Sequence, residues 1–523
     1  MQQPAHTNKS KWLKKLSLLY NSHVNLKLST QSLERSTKAF IQVYFCIILV
    51  LFFWVAFNII RFPYGVDYGE APLMDQVKKI QIGETIYKGD FNTPPYVIAN
   101  YPPLYPLLVA GINSFFNSLV FQTGRLVALT FSIISGLVIG LFTFSLTHKK
   151  TLAIFSVAIF LGNPYVIIWS SQARVDMMAL AFSLIGLYIL FKQKDSTAWI
   201  LVSCLCFILS IFTRQTYLLA GPLAGFIWLF KVNRKHAFLF LVTLTISSLL
   251  LFGMINALTQ GGFYSNIVTA NINEISISRT VTMFKQLFII WPVILIMVAV
   301  LLIRVLQKWN KSSRDLPDTI EYHEFLVYGL TTFTTGALLT ALTVGKVGSD
   351  VNYFLEIIAA CSIWMAIGLS TIMNSINRRN LMILGLLLLQ LVWILIGAIP
   401  ITGAAIESRW NMLPSYNSLY QEINTATQKG IVLSDDFLDM VVLSGQPIYY
   451  QPFEYGQLYD AGLWDPTALV EQIEQKEFPL VVIGGDTVYK ECCWPDPVAA
   501  ALETNYKIHS QPGLLILTPE IDD

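Results

Sequence analysis

Long apolar runs recur through roughly the first 400 residues and are separated by short polar or basic loops. A helix needs about 20 apolar residues to cross a hydrocarbon core of roughly 30 Å. Helices are expected because backbone groups in lipid must be hydrogen-bonded internally, and these runs are too long for barrel strands. The pattern therefore predicts a polytopic α-helical membrane protein with about eleven transmembrane helices, at 40–60, 126–147, 151–169, 175–191, 197–212, 215–230, 236–258, 286–306, 324–344, 352–373 and 381–399.

A twelfth apolar segment, 104–120, decides the orientation of the others. It begins Y-P-P-L-Y-P and turns polar in its second half. The positive-inside rule places clusters of Lys and Arg in the cytoplasm. If 104–120 does not cross, the basic segment 1–39 and the clusters H-K-K, K-V-N-R-K-H and N-R-R-N all lie in the cytoplasm. We therefore expect 104–120 to be interfacial or re-entrant, with the amino terminus inside and the carboxyl terminus outside.

The tail, 401–523, has a different pattern of apolar and polar residues. Its apolar runs are short (I-V-L, V-V-L, L-V-V-I and L-L-I-L) and are separated by turn signals such as D-D and G-G-D. Residues 468–475, A-L-V-E-Q-I-E-Q, form a helical pattern. Short buried strands alternating with helices are typical of a small α/β domain. The chain thus divides into a cytoplasmic basic segment (1–39), a transmembrane domain (40–400) and an extracytoplasmic α/β domain (401–523).

The composition agrees with a membrane protein and gives no indication of nucleic acid as a partner, so none is expected. Hydrophobic residues make up 54% of the chain and charged residues 13%, and the net charge is only +2. The sequence contains neither the glycine-rich fingerprint of dinucleotide-binding folds nor a P-loop, so no nucleotide cofactor is expected.

Single basic residues mark three of the short loops on the predicted outer side: Arg174, Arg214 and Lys346. Ionisable groups at membrane depth are costly and tend to serve a function, which favours a binding surface for an anion. The alternative for each residue alone is a snorkelling anchor.

Two acids, Asp67 and Glu70, follow the first apolar run in the stretch V-D-Y-G-E. The next residues, A-P-L-M-D-Q-V-K-K-I-Q-I-G-E, predict an amphipathic helix along the membrane, and acids three apart would share one of its faces. A carboxylate there could accept a proton from a hydroxyl nucleophile or hold a cation. Alternatively, Asp67 caps that helix, since Asp is a favoured N-cap residue.

The order of these motifs resembles that of the GT-C glycosyltransferases, the polyprenyl-phosphate-sugar-dependent enzymes related to protein O-mannosyltransferases and aminoarabinose lipid A transferases. The resemblance covers residues 40 to about 400 and rests on D-Y-G-E, I-G-E-T-I-Y-K-G, Y-P-P-L-Y-P, T-G-R-L-V-A-L, S-Q-A-R-V-D-M-M-A-L and T-R-Q-T. It implies an integral plasma (inner) membrane enzyme of the cell envelope that moves a hexose or pentose from a polyprenyl-phosphate donor to a glycan, lipid or protein acceptor outside the cytoplasm.

The same resemblance implies roles for individual residues. Asp67 would be the catalytic base or acceptor-orienting carboxylate, supported by Glu70. The donor phosphate and substrate would be bound by Arg174, Asp176, Arg214, Lys346, Asn352, Tyr353, Glu356 and Tyr101. Tyr101 stands where several relatives have a basic residue. The resemblance leaves the sugar, the acceptor and dependence on a divalent metal open.

The main alternative from another class is a secondary transporter or flippase for a lipid-linked or anionic substrate. Such a protein would also be polytopic, but transporters often contain paired repeats with broken helices at matching positions. No internal repeat is evident here, and most charges lie at the ends of the predicted spans. A non-catalytic lipid-binding subunit is a third interpretation.

Overall fold

The computed structural model describes residues 7–116, 120–271, 273–309, 324–374, 377–489 and 493–520. Most of the chain up to residue 411 is helical. The helices of this membrane part are α1 (Thr7–Arg61), α2 (Glu70–Gln81), α3 (Leu104–Phe116), α4 (Val120–Thr147), α5 (Lys150–Leu161), α6 (Pro164–Trp169), α7 (Asp176–Lys192), α8 (Thr197–Ile211), α9 (Ala220–Val232), α10 (Arg234–Leu258), α11 (Gly262–Ile267), α12 (Ile277–Ile290), α13 (Pro292–Trp309), α14 (Thr331–Leu342), α15 (Leu355–Asn374) and α16 (Arg378–Asn411).

Within the described residues, six helical segments are long and apolar enough to cross a membrane: Ser32–Arg61, Val120–Thr147, Arg234–Leu258, Phe325–Gly345, Val351–Asn374 and Arg378–Asn411. A seventh candidate is the pair α12 and α13, which is bent by 99° at its break. These helices indicate an integral membrane protein.

The remaining predicted spans correspond to shorter helices. The run at 151–169 is divided between α5 and α6, because Pro164 has no N–H to continue the ladder and Asn163 caps α6 by accepting from the Tyr165 N–H at 2.9 Å. The runs at 175–191, 197–212 and 215–230 correspond to α7, α8 and α9. The count of eleven spans therefore stays a prediction. Helix α3, with 13 residues and a length of about 20 Å, is shorter than a hydrocarbon core.

The segment Val351–Asn374, which contains α15, is the most enclosed of the candidate spans, with 89% of the residues in its most apolar stretch buried. Small residues let the surrounding helices approach closely, as is usual between membrane helices. A Cβ on Gly336 would lie 2.7 Å from the Ala220 Cα, and one on Gly221 would lie 2.6 Å from the Phe207 ring. These close approaches pack α14 against α9 and α9 against α8. The amino-terminal end of α15 begins with Leu355 and Glu356 and closely follows Asn352 and Tyr353, so it lies beside several predicted site residues.

The tail contains a four-stranded sheet flanked by helices. Its strands are β1 (Val432–Ser434), β2 (Leu480–Gly484), β3 (Tyr506–Gln511) and β4 (Leu514–Pro519), in the order β1-β2-β4-β3, with β1 and β2 parallel and the other pairs antiparallel. Its helices are α17 (Leu413–Thr427), α18 (Leu438–Leu443), α19 (Pro452–Asp460), α20 (Thr467–Glu474) and α21 (Asp496–Asn505).

Three details of the tail bear on the sequence predictions. The helix predicted at 468–475 is present as α20. The run V-V-L at 441–443, expected to be a short strand, lies in helix α18. Helix α16 passes through residue 400 and ends at Asn411, so the predicted domain boundary falls inside it.

The tail is joined closely to the first polar loop of the membrane part. The Tyr96 N–H donates to the Tyr449 carbonyl at 2.6 Å, and the Gln451 N–H donates back to the Tyr96 carbonyl at 2.9 Å. Helix α2 lies beneath the tail, where Asp75 accepts from the Ile448 N–H at 3.1 Å. The predicted amphipathic helix is therefore present, but the tail covers its polar face, and the loop and tail form one packed unit.

Candidate active site

Three adjoining cavities lie between the first loop, the ends of the membrane helices and the tail, and Gly348 and Phe453 line all three. The carboxylate cavity, of about 290 Å³, is lined by Asp67, Asp350, Asp435, Asp436, Arg174 and Arg279, among others. The lysine cavity, of about 160 Å³, is lined by Lys346, Arg214, Asn352, Tyr353 and Tyr101, among others. A connecting cavity of about 80 Å³ contains Arg174 and Tyr101. Most of the predicted site residues therefore face one continuous region.

Asp67 is held at the edge of the carboxylate cavity. Its Oδ1 accepts from the Arg174 Nη1 at 2.8 Å and from the Gly69 N–H at 3.0 Å. Its Oδ2 has no hydrogen-bond donor among the described residues, and 24% of the side chain is exposed. Asp67 therefore orders its own loop through one oxygen, while its side chain lines the carboxylate cavity. The N-cap is the residue directly before a helix, and for α2, which begins at Glu70, this residue is Gly69. Asp67 lies two residues earlier, so the alternative that it caps α2 is wrong.

Gly69 allows Arg174 to lie across the loop. A Cβ at this position would stand 1.3 Å from the Arg174 Nη1, so no other residue fits without moving the guanidinium. Arg174 also donates to the Tyr101 hydroxyl at 3.1 Å and lies over the Tyr101 ring. A side chain at position 69 would therefore displace the guanidinium from its present position between Asp67 and Tyr101.

Glu70 faces away from the cavities and forms a completely buried ion pair with Arg125, at 2.7 Å. Its carboxylate also accepts from the Val66 N–H at 2.9 Å and the Ala173 N–H at 2.6 Å. Arg125 donates to backbone carbonyls at the end of α1 and in the following loop. Because Ala173 precedes Arg174 directly, this pair fixes the loop of Asp67 against the loop of Arg174.

Asp176 lies at the start of α7 and joins three elements below the lysine cavity. It pairs with Arg214, accepts from the Trp169 indole N–H at 3.0 Å, and accepts from the Asn352 amide at 3.0 Å. Arg214 also lies under the Tyr353 ring, at 4.7 Å from its centroid. Asp176 thus orients Arg214 and Asn352, both of which line the lysine cavity.

Lys346 is positioned by a short backbone pairing between its own loop and residues 273–276. The Ser276 N–H donates to the Gly345 carbonyl and the Val347 N–H to the Glu274 carbonyl, both at 2.9 Å. The ammonium donates to the Asn271 carbonyl and lines the same cavity as Arg214. Burial, followed by the charge of Arg214, lowers the pKa of Lys346 below its ordinary value.

The predicted site residues therefore fall into groups. Arg214, Lys346, Asn352, Tyr353 and Tyr101 line the lysine cavity, whereas Arg174 lies beside Asp67 in the neighbouring cavities. Glu356 is buried in the first turn of α15 and lines none of the three cavities.

The tail supplies site residues that the sequence did not indicate. Asp436 lines the carboxylate cavity just after strand β1, at residues interpreted only as a turn signal. Phe453, in the first turn of α19, lines all three cavities. The neighbouring Glu454 accepts from the Tyr68 hydroxyl at 2.7 Å and the Asn100 amide at 3.1 Å. Burial raises the pKa of Glu454. Arg279, in the first turn of α12, also lines the carboxylate cavity.

Among the residues that the structure describes, no group of three or more His, Cys, Asp or Glu side chains is arranged to hold a metal ion. Asp435, the most buried of the cavity acids, instead organises the tail. It accepts from the Gly484 N–H at 2.8 Å and the Trp494 indole at 3.0 Å.

The chain has the GT-C fold. The chain is similar in structure to ArnT from Cupriavidus metallidurans bound to undecaprenyl phosphate, with a TM-score of 0.56 and 13% identity over 92% of this chain and 98% of that one. The apo form of the same protein gives a TM-score of 0.57 at 12% identity, with the same coverage.

A second similar structure is the archaeal oligosaccharyltransferase AglB from Archaeoglobus fulgidus, in complex with an inhibitory peptide and a dolichol-phosphate. Its TM-score is 0.50, at 10% identity over 90% of this chain and 74% of that one. The sequence matches no protein-family model and no curated protein. At these identities the likeness establishes the fold alone.

Proposed function

We propose that this protein is a membrane glycosyltransferase that moves a hexose or pentose from a polyprenyl-phosphate donor to a hydroxyl-bearing acceptor outside the cytoplasm. The observation that carries the proposal is the position of Asp67. One of its oxygens is fixed by Arg174 and Gly69, and the other is open to a cavity that adjoins the one containing Arg214 and Lys346. A fixed carboxylate beside a cationic pocket is what displacement of a phosphate by a hydroxyl requires.

In this proposal the donor phosphate binds in the lysine cavity and the acceptor enters the carboxylate cavity. The acceptor hydroxyl gives its proton to Asp67 as its oxygen bonds to the sugar's anomeric carbon. The bond from that carbon to the phosphate oxygen breaks, and the electron pair leaves with the polyprenyl phosphate. Arg214 and Lys346 stabilise the charge that grows on the phosphate, which is strongest in the transition state.

The remaining predicted residues position these groups. Glu70 holds the Asp67 loop through Arg125, and Asp176 holds Arg214 and Asn352 in place. The Tyr101 hydroxyl accepts a hydrogen bond from Arg174. The Tyr353 ring packs against the guanidinium of Arg214. Phosphates of the same chemical class are bound in two of the similar structures, undecaprenyl phosphate in one and dolichol-phosphate in the other.

The proposal is tested by transfer of radiolabelled sugar in nanodiscs that contain the purified protein and envelope extract as a source of acceptors. We expect transfer from polyprenyl-phosphate sugars and none from nucleotide sugars. Transfer that requires a nucleotide sugar would contradict the donor class. Movement of the intact lipid-linked sugar across a vesicle membrane, with no new glycosidic bond, would instead favour the transporter.

A further inference from the structure

A fourth cavity, of about 340 Å³, lies between α13, α15 and α16, far from the three cavities of the candidate active site. Its polar end is formed by Arg304, Thr371, Asn377, Arg379 and Asn380. The rest is apolar, with walls that include Met297, Val300 and Leu301 from α13. Helix α15 begins next to Asn352 of the active site, whereas this cavity lies against the opposite end of the same helix.

We propose that this cavity binds an anionic phospholipid, with its phosphate at the two arginines and one acyl chain along α13. The proposal does not rest on glycosyl transfer. Basic pockets between membrane helices on the cytoplasmic side are suited to anionic headgroups. The basic clusters of the sequence predict that this end of the helices lies in the cytoplasm.

The charges of the cavity favour an anion. Arg304 and Arg379 both line it, and no Asp or Glu is among its lining residues. Neither arginine forms an ion pair with any described residue. The amino terminus of α16 adds a partial positive charge beside them, because Asn377 is its N-cap and accepts from the Asn380 N–H at 2.9 Å.

The dimensions of the cavity favour a lipid over a free phosphate. Its α13 wall runs from Val293 to Arg304, and the eleven steps between them span about 16 Å along a helix. This is about half of a hydrocarbon core and therefore about the depth of one leaflet. The walls along this length are apolar, so the site offers one charged end and a groove for an acyl chain.

The experiment measures lipid binding to the full-length protein in detergent by native mass spectrometry. Phosphatidylglycerol is compared with phosphatidylcholine of the same acyl chains, and soluble glycerol 3-phosphate is the competitor. We expect preference for phosphatidylglycerol and no competition by glycerol 3-phosphate. The double variant Arg304→Gln, Arg379→Gln should bind phosphatidylglycerol roughly 30-fold more weakly, since each basic residue near an anionic lipid contributes about a fivefold factor.

Arg378→Gln is the matched control, because Arg378 is adjacent and exposed but does not line the cavity. It should bind phosphatidylglycerol as the wild type does. Val300→Trp, which places a large side chain in the groove from a partly exposed position, should also weaken binding. Equal binding of the two lipids, unchanged binding in the double variant, or competition by glycerol 3-phosphate would overturn the proposal.

Discussion

The guanidinium of Arg174 lies across Gly69 and donates to Asp67 at 2.8 Å, so the two loops that carry them meet at one carboxylate oxygen. This contact leaves Asp67 Oδ2 open to the carboxylate cavity. The arrangement needs the glycine as much as the charges, because any side chain at position 69 would occupy the place of the guanidinium.

Gly69→Ala should therefore lower turnover by at least roughly tenfold, since a displacement of about 1 Å in a catalytic group can cost on the order of 10²-fold. The measurement is the rate of sugar transfer by purified protein at saturating donor. Gly111→Ala is the control, because a Cβ there meets nothing within 4 Å. Equal loss in both variants, or wild-type turnover in Gly69→Ala, would contradict the proposed role of this contact.

Glu70→Gln should mainly lower the stability of the folded protein rather than the rate of the chemical step. Glu70 and Arg125 are fully buried, and removing one partner of such a pair typically costs about 3–5 kcal/mol. We expect a lower thermal midpoint and a lower yield of folded protein. A variant that keeps the wild-type midpoint but loses transfer would instead place Glu70 in the reaction itself.

The stability contributed by the contact between the first polar loop and the tail should depend on pH through Asp439. Its carboxylate accepts from the Gly65 N–H at 2.7 Å, and burial raises its pKa to about 6. Because the pKa in the folded protein lies above the ordinary value of 3.8, this contribution to stability is full below about pH 4 and is lost as the pH rises through 6. The thermal midpoint should fall over this range in the wild type, and less so in Asp439→Asn. The same slope in both proteins would contradict this origin.

Lys346 should limit activity at alkaline pH. Its lowered pKa means that the ammonium loses its charge at a lower pH than an exposed lysine, and turnover should decline with it. Lys346→Arg keeps a charge that does not titrate in this range. The pH profile of the arginine variant should therefore lack the alkaline limb, whatever its maximal rate. An unchanged limb would assign the titration to another group.

The general architecture can be predicted from the sequence, because membrane helices have strong sequence signals: long apolar runs and an asymmetric distribution of basic residues between loops. The GT-C fold agrees with this prediction. Arg214, Lys346, Asn352 and Tyr353 line one cavity, but their roles stay a prediction. The lengths of the helices are harder to predict from the sequence. Asn163 and Pro164, for example, divide one apolar run into two helices without changing its hydropathy.

The sequence could not indicate which charges pair. Asp67 and Glu70 are three residues apart and were expected on one helical face, but α2 begins only at Glu70 and the two acids face different partners. Arg125 and Arg174 are remote in sequence, so only the packing decides which acid each one meets. For the same reason Asp436 and Phe453 of the tail were not foreseen as part of the site. The run V-V-L was too short for its periodicity to separate helix from strand.

The most direct test of the account is the transfer rate of Asp67→Asn. Asparagine has the size of aspartate but cannot accept the acceptor's proton, and general-base groups typically contribute about 10²–10⁴ to a rate. The control is Glu84→Gln, which removes an exposed carboxylate of the same loop. With polyprenyl-phosphate sugar as donor and matched amounts of folded protein, we expect at least a roughly 100-fold loss in Asp67→Asn and wild-type transfer in Glu84→Gln. Wild-type turnover in Asp67→Asn would contradict the catalytic role of Asp67.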